Sequence, residues 1–201
     1  MAEPKQKRLK GTLPICPLHP RNTGSGVRQN LPPEVEGGLC GVTNALLRLS
    51  YNFQALAEIF DQADVALPRV SNFFHKQAKR EEEAAEYLLK HMAERGGHYC
   101  SKTIEKPNCD HVRDVMTACY VALDQWKTTL GYFEELYHLS VDCSDPHSAG
   151  VIKKYFVEPK IRKVKLTGDI LTNARRLSCT HNGQSSFGEY LIDKLQEELN
   201  E

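Results

Sequence analysis

Apolar residues recur along most of this chain at alternating steps of four and three positions, the spacing of one face of a bundle helix. The longest such run follows Pro32 and Pro33. Its apolar members are Val35, Leu39, Val42, Leu46, Leu49, Phe53, Leu56 and Phe60. Because the first turn of a helix tolerates proline, the pattern predicts a first helix that begins near Pro33.

A second long helix is predicted from about Leu67 to the glycine pair Gly96-Gly97, which suits a left-handed C-terminal cap. Its inward face carries Val70, Phe74, Gln77, Glu81, Ala84, Leu88 and His91. The connecting turn is short, so this helix must run antiparallel beside the first. The pattern places one carboxylate, Glu81, in the middle of a buried face, and a lone buried carboxylate needs a partner or a proton.

Two further helices and a shorter one complete the pattern. The third has Trp126 at the centre of an inward face made of Val115, Cys119, Ala122, Trp126, Thr129, Phe133 and Leu136. The fourth begins at Ser144-Asp145-Pro146, and the internal Pro159 is expected to kink it. Its apolar residues are Val151, Ile152, Phe156, Ile161, Val164 and Leu171. A short fifth amphipathic helix is predicted over residues 187–199.

Residues 98–111, between the second and third helices, carry no helical pattern. About 14 extended residues reach roughly 45 Å, whereas a helix of about 28 residues is roughly 42 Å long. This loop can therefore cross the whole bundle, so that the third helix starts beside the start of the second. The predicted fold is all-α: a four-helix bundle with one long crossover loop and a short fifth C-terminal helix.

Composition narrows the class of protein. The chain has 201 residues, 40% of them hydrophobic, with 26 basic and 26 acidic side chains. This balance gives no electrostatic case for binding nucleic acid or a membrane surface, and no apolar run approaches the ~20 residues of a membrane span. Seven cysteines are scattered without a Cys-x-x-Cys pair, which favours free thiols over a disulfide framework or a zinc site. Without an apolar leader segment, the expected location is the cytoplasm.

The N-terminal residues 1–30 differ from the rest of the chain. They contain four prolines and several basic residues and have no sustained apolar period. This composition predicts an extended or disordered tail, with the folded domain over residues 31–201. A basic contact arm is the alternative interpretation of the tail.

Several short segments, in the same order, resemble ferritin from about residue 27 to residue 197. They are Val27–Asn30, Phe60–Leu67, Arg95–Gly97, Lys106–Asp110, Asp145–His147, Gly168–Asn173 and Gly188–Leu191. The resemblance implies a ferritin-like bundle over residues 31–201. In typical members of that family it also implies assembly of 24 subunits into a hollow, iron-storing shell.

The resemblance further implies where a ferroxidase site would lie. In ferritin heavy chains its ligands are a glutamate on helix one, a glutamate and a histidine on helix two, a glutamate on helix three and a glutamine on helix four, with a tyrosine nearby. The matching residues here are Leu46, Glu81, Ala84, Trp126 and Lys160, with Phe53 at the tyrosine position. One carboxylate beside an ammonium group cannot hold iron. We expect Glu81 to pair with Lys160, or with Arg80, and residual metal binding at Glu81 is the alternative.

Two other ferritin features change in the same direction. The acidic cluster at which mineral nucleates in light chains matches Lys76, Lys79, Arg80 and Glu83. The acidic residues of the threefold entry channel match Gly150 and Lys153. Lysines gathered around a symmetry axis would repel a passing cation.

A Glu-x-x-His sequence on the third helix, Glu135 to His138, is the type of motif that binds iron in bundle proteins. At about 100° per residue, however, Glu135 falls on the opposite side of the helix from Trp126. The motif is therefore expected to be a surface pair.

These observations predict a ferritin-like subunit that is not an enzyme. It would lack a ferroxidase centre, hold no cofactor of its own, and meet iron only by co-assembling with competent ferritin chains in a homo- or hetero-oligomer of up to 24 subunits. An iron-independent structural or interaction protein built on the same bundle is the alternative, and an active di-iron oxidase is the third hypothesis.

Overall fold

Four helical rods account for most of the chain whose structure is described. The structure is a computed structural model, and it describes residues 13–16, 26–107, 109, 112 and 114–178. Its elements are α1 (Pro33–Asp61), α2 (Pro68–Glu94), α3 (Val115–Asp142), α4 (Pro146–Ile152), a π-helical turn (Lys153–Val157) and α5 (Glu158–Ser178). The predicted all-α fold is confirmed for these residues. The predicted fifth helix lies outside the described residues.

The glycine pair ends α2 as expected. Gly96 has a φ of 71°, in the left-handed region that glycine adopts without strain. The Gly97 N–H donates to the Met92 carbonyl at 2.8 Å, which satisfies one of the carbonyls left open at the helix end. The described residues between Gly97 and Asp114 form no helix, and the Asp114 side chain caps α3 by accepting from the Thr117 N–H.

The buried residues form two apolar clusters along the bundle. The apolar positions predicted for the first helix are all buried, as are the inward positions predicted for the third. On α2 the prediction for one position was inaccurate, because Ala84 is only half-buried and Ala85 takes the fully buried place. One cluster contains Phe53, Phe74 and Trp126, and the other contains Leu46, Leu88 and Phe133.

The fourth rod consists of α4, the π-helical turn and α5 in succession. Pro159 has no N–H, and in a regular α-helix its ring would clash with the carbonyl four residues earlier. The chain avoids this by widening just before the proline, where the Glu158 N–H donates to the carbonyl of Lys153, five residues back. Ile161 was predicted to belong to the apolar face of this helix, but it is exposed, whereas the neighbouring Lys160 is buried.

A short N-terminal segment, Leu13–Cys16, lies directly on α1, and we call it the strap. Leu13 and Cys16 are both buried, a packing that the predicted tail did not include. The strap approaches so closely that a Cβ added to Gly41 would lie 1.2 Å from the Pro14 carbonyl oxygen. Only glycine at this position leaves room for the strap. None of the described helices is long and apolar enough to cross a membrane.

Candidate functional site

The buried carboxylate of α2 lies where the two apolar clusters meet. Glu81 is 3% exposed. Ala78, one turn before it, belongs to the cluster that contains Trp126, and Ala85, one turn after it, belongs to the cluster that contains Phe133. A polar group is therefore enclosed at mid-bundle between apolar layers, and each of its lone pairs needs a donor.

The indole of α3 supplies one of these donors. Trp126 Nε1 donates to Glu81 Oε1 at 2.9 Å. The indole itself is fixed by Phe53 of α1, whose ring packs edge-on against it with centroids 5.4 Å apart. Sequence patterning placed Trp126 on the inward face but gave no indication of this hydrogen bond, because the donor is a side-chain atom whose direction depends on its rotamer.

Two lysines of α5 complete the surroundings of the carboxylate. Lys160 Nζ lies 2.9 Å from Glu81 Oε2 and 3.2 Å from Oε1, so the predicted ion pair is confirmed. Lys163 Nζ lies 3.3 Å from Oε1 and was not predicted. Its spacing of three residues from Lys160 puts both on one helix face, and that signal could have identified it. Arg80, the alternative partner, is half-buried and adds positive charge near Lys163.

Both ammonium groups also contact aromatic faces. Lys163 Nζ lies 4.1 Å from the centroid of the Trp126 ring, and Lys160 Nζ lies 6.0 Å from that of Phe133. The negative face of an aromatic ring attracts a cation most strongly when water is excluded. Trp126 thus contacts Lys163 through its face and Glu81 through its edge.

The charges of neighbouring side chains shift the pKa values of Glu81 and Lys163. Burial by itself would raise the pKa of Glu81, but the charges and hydrogen bonds of Lys160 and Lys163 lower it to about 2. For Lys163, burial lowers the pKa, Glu81 raises it, and Lys160 and Arg80 lower it again, to about 8. At neutral pH the low pKa of Glu81 keeps it a carboxylate, and the pKa of about 8 keeps Lys163 mostly protonated.

The remaining positions matched to a ferroxidase site contribute no ligand. Leu46 and Phe53 are fully buried apolar side chains, and Ala84 is half-buried against the same interior. The Glu81 oxygens already accept from Trp126, Lys160 and Lys163. Iron prefers several oxygen and imidazole donors, so this set does not fit a di-iron centre. Within the described residues, no group of three or more His, Cys, Asp or Glu could hold a metal ion.

Three of the four positions matched to mineral nucleation lie on the outer side of α2. Lys76, Lys79 and Glu83 are exposed, and Lys79 lies 4.0 Å from Glu83 one turn later. The residues matched to the entry channel are exposed as well, with Gly150 in α4 and Lys153 at the start of the π-helical turn. The structure thus places these side chains on the bundle surface, away from the buried Glu81.

Only one residue of the Glu-x-x-His sequence of α3 is exposed at the surface as expected. His138 is exposed, whereas Glu135 is half-buried and accepts a hydrogen bond from the Leu13 N–H at 2.6 Å. Glu135 therefore holds the strap. The prediction was incomplete because the strap had no periodic pattern from which its position could be inferred.

Comparisons with known proteins agree with this architecture. A family model for the ferritin-like domain matches residues 39–177. The ferritin light chain of Oryctolagus cuniculus is 38% identical over 171 residues, which cover 85% of this chain and 96% of that protein. The middle subunit of ferritin from Aquarana catesbeiana is 34% identical over 170 residues, with 85% and 95% covered. The ferritin light chain of Bos taurus is 36% identical over 171 residues, with 85% and 96% covered.

Proposed function

The chain belongs to the ferritin family, and we propose that it is a shell subunit without ferroxidase activity, which contributes to iron storage by co-assembling with competent chains. The observation that carries the proposal is the occupation of Glu81 by Trp126, Lys160 and Lys163. A ferrous ion would have to displace two ammonium groups from Glu81, the only buried carboxylate at mid-bundle among the described residues. Coulomb repulsion at such short range opposes its entry.

The side chains around Glu81 support loss of catalysis rather than a change of metal. Oxidation of iron by a carboxylate site needs several ligands that bind the metal together. Here Leu46 and Phe53 of α1 are apolar, and Trp126 of α3 offers only an N–H donor. Together with Ala84 of α2, these residues place side chains that cannot bind a cation at matched positions of three helices.

Aerobic oxidation of ferrous iron by the purified full-length chain tests the proposal. We expect the rate of ferric iron formation to equal that of buffer with an inert protein. Stimulated oxidation that survives treatment with a chelator resin before the assay would overturn the loss of activity.

A variant with the ligand set restored provides the positive control. It carries Leu46→Glu, Ala84→His, Trp126→Glu and Lys160→Gln, together with Lys163→Ala to remove the second ammonium group. We expect this variant, once shown to be helical by circular dichroism, to oxidise iron faster than the wild type. Equal rates in both chains would contradict the assignment of these positions to the degenerate site.

Assembly is tested separately from catalysis. The chain is co-expressed with a ferroxidase-competent ferritin subunit, and the native mass and composition of the product are measured. We expect mixed shells that contain both chains and that mineralise iron through the competent one. A monomer or dimer that never enters a shell would instead support an iron-independent interaction protein, the second candidate from the sequence.

The described part of the N-terminal tail does not favour that second candidate. Leu13 and Cys16 are buried against the chain's own bundle, and Leu13 is held by Glu135. A segment engaged in this way cannot serve as a free contact arm over these residues. We therefore propose the co-assembling subunit as the principal function.

A further inference from the structure

The strap is held from both sides of α1. On one side Glu135 of α3 accepts from the Leu13 N–H, and on the other side Lys102 of the crossover donates to the Ile15 carbonyl at 3.1 Å. Below it, the Cys16 N–H donates to the carbonyl of Gly37 at 3.3 Å. The strap therefore reaches the crossover at a fixed position, with Cys16 at its buried end.

Three thiols meet at this position. Cys16 and Cys100 interact where the strap contacts the crossover through Ile15 and Lys102, and Cys40 of α1 lies next to Cys100. Cys40 is fully buried, with its sulfur 3.4 Å from the backbone N–H of Cys100 and 3.4 Å from the carbonyl of His98. Cys100 is half-buried and is the thiol of this group that solvent reaches most readily.

We propose that Cys16 and Cys100 are a modification site at which a hydroperoxide forms a disulfide that locks the strap onto the crossover. The bond would join residues that are 84 positions apart in the chain. The inference needs neither iron nor a shell, so it stands or fails independently of the proposed function.

The chemistry balances with hydrogen peroxide as the oxidant. The Cys100 thiolate sulfur attacks one peroxide oxygen, the O–O bond breaks, and the departing hydroxide takes up the thiol proton to leave as water. The Cys16 sulfur then attacks the sulfenic sulfur of Cys100, the S–O bond breaks, and the second hydroxide leaves as water with the Cys16 proton. Two thiols are oxidised by two electrons and one peroxide is reduced.

The environment assigns different roles to the three thiols. Burial raises the pKa of Cys40 to about 11, so this sulfur remains a thiol. The interaction with Cys16, and then partial burial, raise the pKa of Cys100 as well. We therefore expect slow oxidation at neutral pH that accelerates by about tenfold per pH unit as long as the pH is below this pKa, because only the thiolate reacts.

Thiol mapping of the full-length chain is the test. The reduced protein is treated with hydrogen peroxide, remaining thiols are blocked by alkylation, and disulfide-linked peptides are quantified by mass spectrometry. We expect the Cys16–Cys100 bridge to be about tenfold more abundant than any pair containing Cys143, because neighbouring thiols react at a high effective concentration. Oxidation of Cys100 to sulfinic acid without a bridge, or a predominant bridge to Cys40, would overturn the proposal.

A glycine variant separates the strap from general thiol reactivity. In Gly41→Ala the new Cβ would overlap the Pro14 carbonyl and displace the strap, so bridge formation should fall by about tenfold. Gly131→Ala is the matched control, since a Cβ there meets nothing within 4 Å. An unchanged yield in Gly41→Ala would contradict the proposal.

A cysteine variant covers the possibility that Gly41→Ala does not fold. Cys16→Ser leaves the backbone of the strap intact and removes only the resolving sulfur. We expect this variant to accumulate singly oxidised Cys100 and to form no bridge. If Cys100 in this variant formed a disulfide with another cysteine as quickly as the wild type forms the Cys16–Cys100 bridge, the assignment of Cys16 as its partner would be wrong.

Discussion

Two buried carboxylates in this bundle are neutralised in different ways. Asp145, at the start of α4, is fully buried and accepts from Arg95 Nη1 at 2.8 Å through both oxygens. It also caps α4 by accepting from the Ser148 N–H at 3.1 Å. Arg95 in turn donates to the Asn30 carbonyl, so one ion pair connects the end of α2 to the start of α4 and to the segment before α1.

At mid-bundle the partners of Glu81 are side chains: Trp126, Lys160 and Lys163. Two cations there face one anion, whereas Arg95 and Asp145 form a balanced pair. The comparison separates two roles of a buried charge. The site at the end of the bundle fixes how backbone segments join, while the mid-bundle site supplies hydrogen-bond donors to a carboxylate and leaves one lysine charge unbalanced. The first should resist replacement by apolar side chains, and the second should accept it.

The largest effect is expected from removing the charge of Glu81 alone. Glu81→Gln leaves two ammonium groups without their anion in the interior, and the free energy of unfolding should fall by about 3–5 kcal/mol. Urea unfolding followed by circular dichroism measures this loss. Glu83→Gln is the control, because that carboxylate is exposed and its contact with Lys79 is 4.0 Å long.

The combined variant Glu81→Leu, Lys160→Met and Lys163→Met then tests whether the mid-bundle site is replaceable. Removing an entire buried charge cluster in favour of apolar side chains of similar size is often neutral or stabilising. We expect it to recover most of the stability that Glu81→Gln loses. A combined variant as unstable as Glu81→Gln would show that the two sites do not differ in this respect.

At the other site, Arg95→Met should lower the free energy of unfolding by about 2–4 kcal/mol, because Asp145 remains buried without its cation. The effect should be slightly smaller than at Glu81, since the Ser148 N–H still donates to Asp145. Urea unfolding of this variant is compared with that of Lys90→Met, which removes an exposed cation from the last turns of α2.

The double variant Arg95→Met with Asp145→Leu gives the decisive contrast. It should not recover stability, because it also removes the cap of α4 and the bond to Asn30. If the double variant recovered as much stability as the mid-bundle variant, the Arg95–Asp145 pair would not be needed to hold the end of α2, the start of α4 and the segment before α1 together.

The fold could be predicted because its signals are local. The apolar period from Val35 to Phe60 and the glycines after α2 each report on a few neighbouring residues, and both predictions are confirmed. The π-helical turn before Pro159 was anticipated only as a kink, since sequence shows that a proline disturbs a helix but not which carbonyl moves. The strap was missed because close packing against glycine leaves no periodic pattern.

The candidate site was predicted only in part, for a similar reason. The pair of Glu81 with Lys160 follows from the register of two helices, and it is present. The contribution of Lys163 depends on a long side chain that reaches back along α5, and the bond from Trp126 depends on a rotamer. Helix register can be read from sequence, whereas these side-chain directions are decided by the packed interior.

The smallest expected effect concerns pH and distinguishes the two sites through the chemistry of their cations. Between pH 8 and the unfolded value of 10.5, the folded chain has released the Lys163 proton while the unfolded chain still holds it, so this group makes the free energy of unfolding rise with pH. The stability of the wild type minus that of Lys163→Met should therefore increase by about 1–3 kcal/mol from pH 7 to pH 10. The buried thiols act in the opposite direction, but they are present in both chains and cancel. The difference for Arg95→Met should stay constant, because a guanidinium keeps its proton throughout this range. A flat difference for Lys163→Met would show that Lys163 is not the titrating cation of the mid-bundle cluster.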